Sequence, residues 1–409
     1  MLASTASVGS IGKAVGYTSG AGFFRLRPRI RDRAARLRAD AVVGPSRSFP
    51  FPYGEVRIMR LSRTVLAALV SVLPVAAAPT AVAAPGDGIL DREISFTVHN
   101  VNASGVPCGT DGGTYTVHGH LTGPADALAG STAPSVSLYI HGLEVGEWFW
   151  HFDAVPAYNH VREMAARGHV SVSVDRIGYG AADGAPGDLS CVGGQATVAH
   201  QIVQDLRSGN YAADGGAVAF DRVALLGHSL GGAVAQVEAY SFGDVDAVGV
   251  LAYSDLALTP EQLAGSLTWG AHCLTGGEPS AAGAPGYSYL TPNVEAFQQD
   301  FLAQSPPDVL AAALPLRAIN PCGDMTSLVE ATLIDPARLG SIHVPVLVLT
   351  GSQDRVFDVN RARFQGNLFT GTSDVTTDVV DGATHGLTLE PTAAQVRDDL
   401  DGWLDSHGF

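Results

Sequence analysis

From residue 92 onward, short apolar runs of strand type alternate with stretches of helical period. Arg92–Asn100 and Thr114–Leu121 read as two antiparallel strands joined by a Gly-rich loop. Ser135–Ile140 is a buried strand, Val155–Arg167 a helix and His169–Val174 a further strand. A polar, Gly-rich loop over Gly178–Gly193 leads into a helix, Gln195–Arg207. A strand ending at Leu226 is followed at once by a helix-compatible segment, Ala233–Tyr240, and then by the strand Ala247–Tyr253. After a long irregular region come the strand Val344–Leu349, a helix near Asn360–Leu368, the strand Val375–Val380 and an amphipathic last helix, Thr392–Leu404. Strands that alternate with helices predict a mostly parallel α/β sheet covered on both faces, with ligands at the carboxyl ends of the strands.

The organising stretch is Val223-Ala224-Leu225-Leu226-Gly227-His228-Ser229-Leu230-Gly231-Gly232. It sets a serine in a G-x-S-x-G turn between a strand and a helix, the context in which that motif presents a nucleophile. A serine hydroxyl reacts usefully only when held out of the fold, near a base, with N–H groups converging where an oxyanion forms. The partners fall on later strand ends. Thr350-Gly351-Ser352-Gln353-Asp354 leaves one strand, and Asp381-Gly382-Ala383-Thr384-His385-Gly386 leaves the next. The order Ser229, Asp354, His385 makes Ser229 the candidate nucleophile, His385 the base and Asp354 its orienting acid, with Asp358 and Asp381 as rival acids. Leu230, just after the nucleophile, offers one oxyanion N–H. The loop Ile140-His141-Gly142-Leu143 offers the other through Leu143.

Five motifs in this order resemble a secreted α/β-hydrolase-fold serine hydrolase of the esterase/lipase type, over about residues 92–407. They are His141-Gly142, Asp175-Arg176-Ile177-Gly178-Tyr179-Gly180, Gly227-His228-Ser229-Leu230-Gly231, Gly351-Ser352-Gln353-Asp354 and Gly382-Ala383-Thr384-His385. The resemblance implies a core split by an insertion: 84–255, a cap or lid at 256–340 before the acid-bearing strand, then 341–409. It also implies that His141, Gly142, Trp148 and His228 lie near substrate. Leu143-Glu144-Val145 stand where some relatives carry extra glycines, so the oxyanion loop resembles the shorter kind. The expected reaction is cleavage of a carboxylic ester with an apolar acyl or alcohol part through an acyl-enzyme. Lactone or amide hydrolysis by the same residues, action at an oil–water interface, and a non-catalytic hydrolase-like binding protein are the alternatives. Glu147-Trp148-Phe149-Trp150-His151-Phe152 either lines the acyl site or opens a segment packed on the sheet.

Composition narrows the setting. The chain has 409 residues and a net charge of −16, but residues 1–83 hold 12 of the 24 basic residues and only three acids. The remainder, with 12 basic against 37 acidic residues, stands at −25 and has no lysine, which disfavours nucleic acid and anionic membranes as partners. Residues 1–58 show no sustained apolar period and read as a non-native or disordered extension, or else an unusually long basic leader. Met59-Arg60-Leu61-Ser62-Arg63, apolar Val65–Val75 and Ala81-Val82-Ala83 have the three parts of a signal peptide over 59–83, so export is expected. Pro74 and Pro79 interrupt that run short of the ~20 residues a membrane span needs, so no stable anchor is expected. In an oxidising compartment Cys108, Cys191, Cys273 and Cys322 favour two disulfides over free thiols. Of three possible pairings, Cys108 with Cys191 and Cys273 with Cys322 is preferred, because the second pair then lies within one insertion. His118 and His120 share a strand face without a third metal ligand in view. No H-E-x-x-H or P-loop pattern occurs, and no cofactor or metal is implied. The expected partner is a small ester or lactone, with oligomeric state left open.

Overall fold

The computed structural model describes residues 88–182 and 184–409, so the expectations for residues 1–58 and for the signal segment 59–83 lie outside the described residues. In chain order the elements are β1 (Ile89–His99), β2 (Thr114–Pro124), β3 (Thr132–Ile140), α1 (His160–Ala165), β4 (Ser171–Val174), α2 (Val192–Ser208), β5 (Ala212–Ala213), β6 (Ala219–His228), α3 (Leu230–Phe242) and β7 (Ala247–Leu251). Then follow α4 (Pro260–Leu274), β8 (Tyr287–Ser288), α5 (Val294–Phe301), α6 (Pro307–Ala313), β9 (Asn320–Pro321), α7 (Cys322–Arg338), β10 (Val346–Gly351), α8 (Val359–Ala362), β11 (Val375–Val380) and α9 (Ala393–Ser406).

Nine strands make one sheet in the order β11-β10-β7-β6-β3-β4-β2-β1-β5. The six from β11 to β4 run parallel, and β2, β1 and β5 continue antiparallel. The central strands are apolar on both faces because both are covered: every residue of β7 and β10 is buried, as are Val223–His228 of β6. Edge strand β11 instead exposes Thr376 and Thr377. α2 and α3 pack together and against α7, while α1 packs against α9, which gives the α/β architecture expected.

Some boundaries differ for local reasons. The helix expected over Val155–Arg167 begins as a 3₁₀ turn at Pro156–Tyr158, and α1 starts only after Asn159, whose side chain accepts the Arg162 N–H as an N-cap. The helix near Asn360–Leu368 is two pieces, α8 and a 3₁₀ turn at Gln365–Leu368. Between β7 and β10 the structure has four helices. Thr259 caps α4 by accepting the Gln262 N–H, with Pro260 at its first position, and the helix runs on to Leu274. α7, with Pro336 in its last turn, has no regular apolar period that predicts it.

Both preferred disulfides form. Cys108 and Cys191, 6.3 Å apart at Cα, tie the loop after β1 to the start of α2; Cys273 and Cys322, 5.5 Å apart, join the end of α4 to the first residue of α7. Among the described residues no helix is long and apolar enough to cross a membrane.

Candidate active site

At the end of β6 the chain turns so sharply that Ser229 takes φ +54°, ψ −125° and becomes the N-cap of α3. The glycines around it are steric necessities. A Cβ on Gly227 would meet the Gly231 carbonyl oxygen at 1.9 Å, and one on Gly231 would meet the Ile140 oxygen at 2.3 Å. Strand, helix and the neighbouring β3 loop therefore approach closely enough to bring Gly142 against Ser229, where an added Cβ would lie 2.8 Å from the serine Cβ.

The loops leaving β10 and β11 meet beside this turn. His385 Nδ1 and Asp354 Oδ2 are 2.9 Å apart, both side chains buried. The other Asp354 oxygen accepts the N–H groups of Val356 and Phe357 at 2.7 and 3.0 Å, which fixes the carboxylate. Since the carboxylate accepts, Nδ1 carries the proton and Nε2 is left as the basic nitrogen; Nε2 is buried and makes no hydrogen bond. The imidazole is walled by Phe301, edge-on at 4.9 Å, and Phe357 at 5.9 Å, and both rings line the same cavity as Ser229. The rival acids are engaged elsewhere. Asp358 caps α8 through the Asn360 N–H, and Asp381 accepts the Ser352 hydroxyl.

Leu230 opens α3, so its N–H is among those a helix leaves without an internal partner. Leu143 lines the same cavity. Its peptide plane is set from behind by buried Arg176, which donates to the His141 carbonyl at 3.1 Å through Nε and to the Gly142 carbonyl at 3.1 Å through Nη2. In a trans peptide the N–H points opposite the C=O, so fixing the Gly142 carbonyl toward Arg176 turns the Leu143 N–H away from it. Arg176 is balanced by Asp324 of α7 at 3.0 Å, and the Tyr179 hydroxyl donates to the same carboxylate oxygen at 2.9 Å.

The remaining expected residues sit as follows. His141 is buried, with Nδ1 against the Gly142 carbonyl at 2.8 Å and Nε2 accepting the Arg176 N–H at 3.0 Å; burial, then the Arg176 charge, hold its pKa well below the usual value. His228 is also kept neutral by burial and by His385. Its Nε2 donates to the His385 carbonyl at 2.8 Å, and its ring stacks on Phe149 at 4.3 Å. These two histidines brace the loops. Trp148 packs on Phe152 and is not among the residues lining the cavity at Ser229. Its neighbours Phe149, Trp150 and Phe152 are buried, with Trp150 against Tyr139 and His160, so this run packs on the sheet.

The cavity wall comes instead from the insertion and the late loops: Trp269, Leu290, Phe301, Met325, Leu328 and Phe357, with Gln262 and Ser266 as polar members. No motif marks these residues, and the motif that holds Arg176 does not reveal its part in setting the Leu143 peptide. A charged residue set between apolar Leu143 and Val145 was the only signal for Glu144.

Elsewhere, His120 gains neighbours that the strand alone did not reveal. Its Nδ1 lies 2.7 Å from Glu147, and its ring stacks on His151 at 4.1 Å with 5° between planes. Two parallel imidazoles cannot both point in-plane at one ion, and His151 is paired with Asp91 at 2.7 Å. In α3, Glu238 faces Asp244 beside His200 of α2; burial, then Asp244, hold its carboxyl well above the usual range.

A family model described as the alpha/beta hydrolase family matches residues 138–398. Solved structures of like fold include a thermophilic esterase from Thermogutta terrifontis (TM-score 0.53, 17% identity, 77% of this chain and 100% of that one). The alpha/beta hydrolase GrgF from Penicillium sp. sh18 is also similar (TM-score 0.50, 17% identity, 78% and 99%). So is a membrane phospholipase A described as a bacterial virulence factor (TM-score 0.50, 17% identity, 78% and 87%).

Proposed function

The chain belongs to the alpha/beta hydrolase family, and on that premise we propose that it is an exported serine hydrolase cleaving a carboxylic ester with an apolar acyl or alcohol part. The observation that carries this is the buried His385–Asp354 pair, its Nε2 engaged by no other group and its ring set against Phe301 and Phe357, two walls of the cavity that Ser229 lines. The Ser229 Oγ attacks the ester carbonyl while Nε2 takes its proton, and Asp354 stabilises the imidazolium through Nδ1–H. Negative charge on the former carbonyl oxygen falls to the N–H groups of Leu230 and Leu143. The intermediate collapses, the alcohol leaves with the proton from Nε2, and water repeats the sequence to free the acid. No cofactor enters any step. An apolar wall of Trp269, Phe301, Met325 and Phe357 favours a hydrocarbon substituent, and two disulfides favour an oxidising compartment.

A second reading, in which the ester is met at a lipid–water interface, is favoured by one observation. Leu263, Leu267 and Leu274 of α4 stand 53%, 70% and 86% exposed, and Val329 and Leu333 of α7 stand 58% and 77% exposed. Labelling by a fluorophosphonate, lost in Ser229→Ala, tests the nucleophile. A panel of nitrophenyl esters, lactones, aminoacyl amides and emulsified esters tests the substrate, and activity confined to amides would overturn the ester reading.

A further inference from the structure

We propose that Glu144 is a positioning residue for the reaction, and that the insertion between β7 and β10, by holding it, forms part of the oxyanion machinery as well as a wall of the cavity. The inference rests on the reading of the Leu143 N–H as an oxyanion donor. Glu144 follows Leu143 directly and sits at φ +58°. The non-glycine residues at positive φ among the described residues are Glu144, Ser229 and Ala252, which follow the carboxyl ends of the neighbouring central strands β3, β6 and β7. A left-handed glutamate persists only where its surroundings over-determine it.

Here they do, and every partner comes from the insertion. The Glu144 N–H donates to Asn320 Oδ1 at 2.7 Å, and its carbonyl accepts the Ala318 N–H at 2.9 Å. Its fully buried carboxylate accepts the Thr291 N–H at 3.1 Å, the Thr291 hydroxyl at 2.6 Å and Arg317 Nη2 at 2.8 Å. On the other side of Leu143, the Gly142 carbonyl is held by Arg176, itself paired with Asp324 of the same insertion. Leu143 is thus pinned on both flanks, on the Glu144 side directly by residues more than 140 positions further along the chain and on the Gly142 side through Arg176, which Asp324 of the same insertion holds. Releasing Glu144 lets its backbone relax out of the left-handed region, and the peptide before it turns the donor away from the oxyanion.

The test compares Glu144→Gln, Thr291→Val, Arg317→Met and Arg317→Lys with the parent on a short-chain nitrophenyl ester. It reads kcat, KM, the thermal midpoint and inhibition by an alkyl trifluoromethyl ketone, whose serine adduct carries the oxyanion. Losing one donor lowers kcat by ~10²–10³, so Glu144→Gln and Arg317→Met are expected to lose about 10²-fold in kcat with KM little changed. Ketone affinity should fall in the same proportion, and Arg317→Lys should recover most of it. Thr291→Val, which removes one hydroxyl, gives the same pattern at about tenfold and covers the case in which Glu144→Gln fails to fold. Folded variants that keep kcat and ketone affinity within twofold of the parent overturn the proposal, as does a kcat loss with ketone affinity unchanged. Ser229→Ala separates the two levels: if it is inactive while the Glu144 variants are indifferent, only the positioning role falls. If Ser229→Ala retains activity, the serine hydrolase reading falls and takes this one with it.

Discussion

The two halves of the site are held by different kinds of contact. The serine side is built from the sheet and its own loops: Gly227 and Gly231 fix the turn, and Asp354 is anchored by Val356 and Phe357, two and three residues away. The oxyanion side is held from a distance, by Arg176 with Asp324 before Leu143 and by Thr291, Arg317, Ala318 and Asn320 after it. On the proposed reading the nucleophile is therefore a property of the core, whereas stabilising the charge it creates depends on how the segment between β7 and β10 is seated.

Replacing the core members should give the largest loss with the least structural consequence. Ser229→Ala and His385→Ala are expected to lose at least ~10⁴-fold in ester hydrolysis, and Asp354→Asn about as much through the wrong tautomer, with thermal midpoints near the parent's. The next largest effect should come from the joint between the halves. Arg176→Met strands the buried Asp324 carboxylate, which costs about 3–5 kcal/mol of stability, and it frees the Gly142 carbonyl, which lowers kcat ~10²-fold. Arg176→Met with Asp324→Leu should recover much of the stability and none of the rate; denaturant melts and initial rates together check this. Recovery of the rate would show that the charge pair is structural only.

The disulfides offer a milder contrast. Replacing either pair by serine removes a long-range cross-link, worth about 2–4 kcal/mol. Only loss of Cys273–Cys322, which joins α4 to α7, should also lower kcat by several-fold; loss of Cys108–Cys191 should leave kcat/KM unchanged in thermal and kinetic assays. The smallest effect is one of pH. Asp335 in α7 takes hydrogen bonds from Tyr240 at 2.8 Å and Gln236 at 2.5 Å, and burial, then Asp255 beside it, push its pKa up to about 8 from 3.8. The folded protein keeps that proton up to about pH 8, whereas the unfolded chain releases it near 3.8. Stability is fullest below that lower value, declines as pH rises and levels off above about 8. Asp335→Asn should flatten the decline, measured as thermal midpoint against pH.

The same division marks how far the sequence could be read. The loops that carry Ser229 and Asp354 were legible because each follows a continuous apolar run with a glycine-bearing turn, and the loop that carries His385 because Val379-Val380 run into Asp381-Gly382, all within ten residues. The pairing of four cysteines was legible from the insertion's extent. α7 was not, because its Ser, Asp and Pro residues blur the apolar period and its stability comes from packing on α2 and α3. Trp148 was expected near substrate and packs elsewhere, since an aromatic run does not say which of its members faces a cavity. Glu144 was visible only as a letter and Arg176 only as a motif member, because Thr291, Asn320 and Asp324, which hold them, are 147 to 176 positions away in segments without a motif.

Ser229 is 5% exposed and His385 not at all, so the reacting atoms lie behind a closed door. A wall that swings clear for reactant to enter and again for product to leave would put a mechanical step in series with bond making. Where that swing is slower than the chemistry, catalytic speed reports the stiffness of the hinge, and a more viscous solvent slows the enzyme without touching its reactivity.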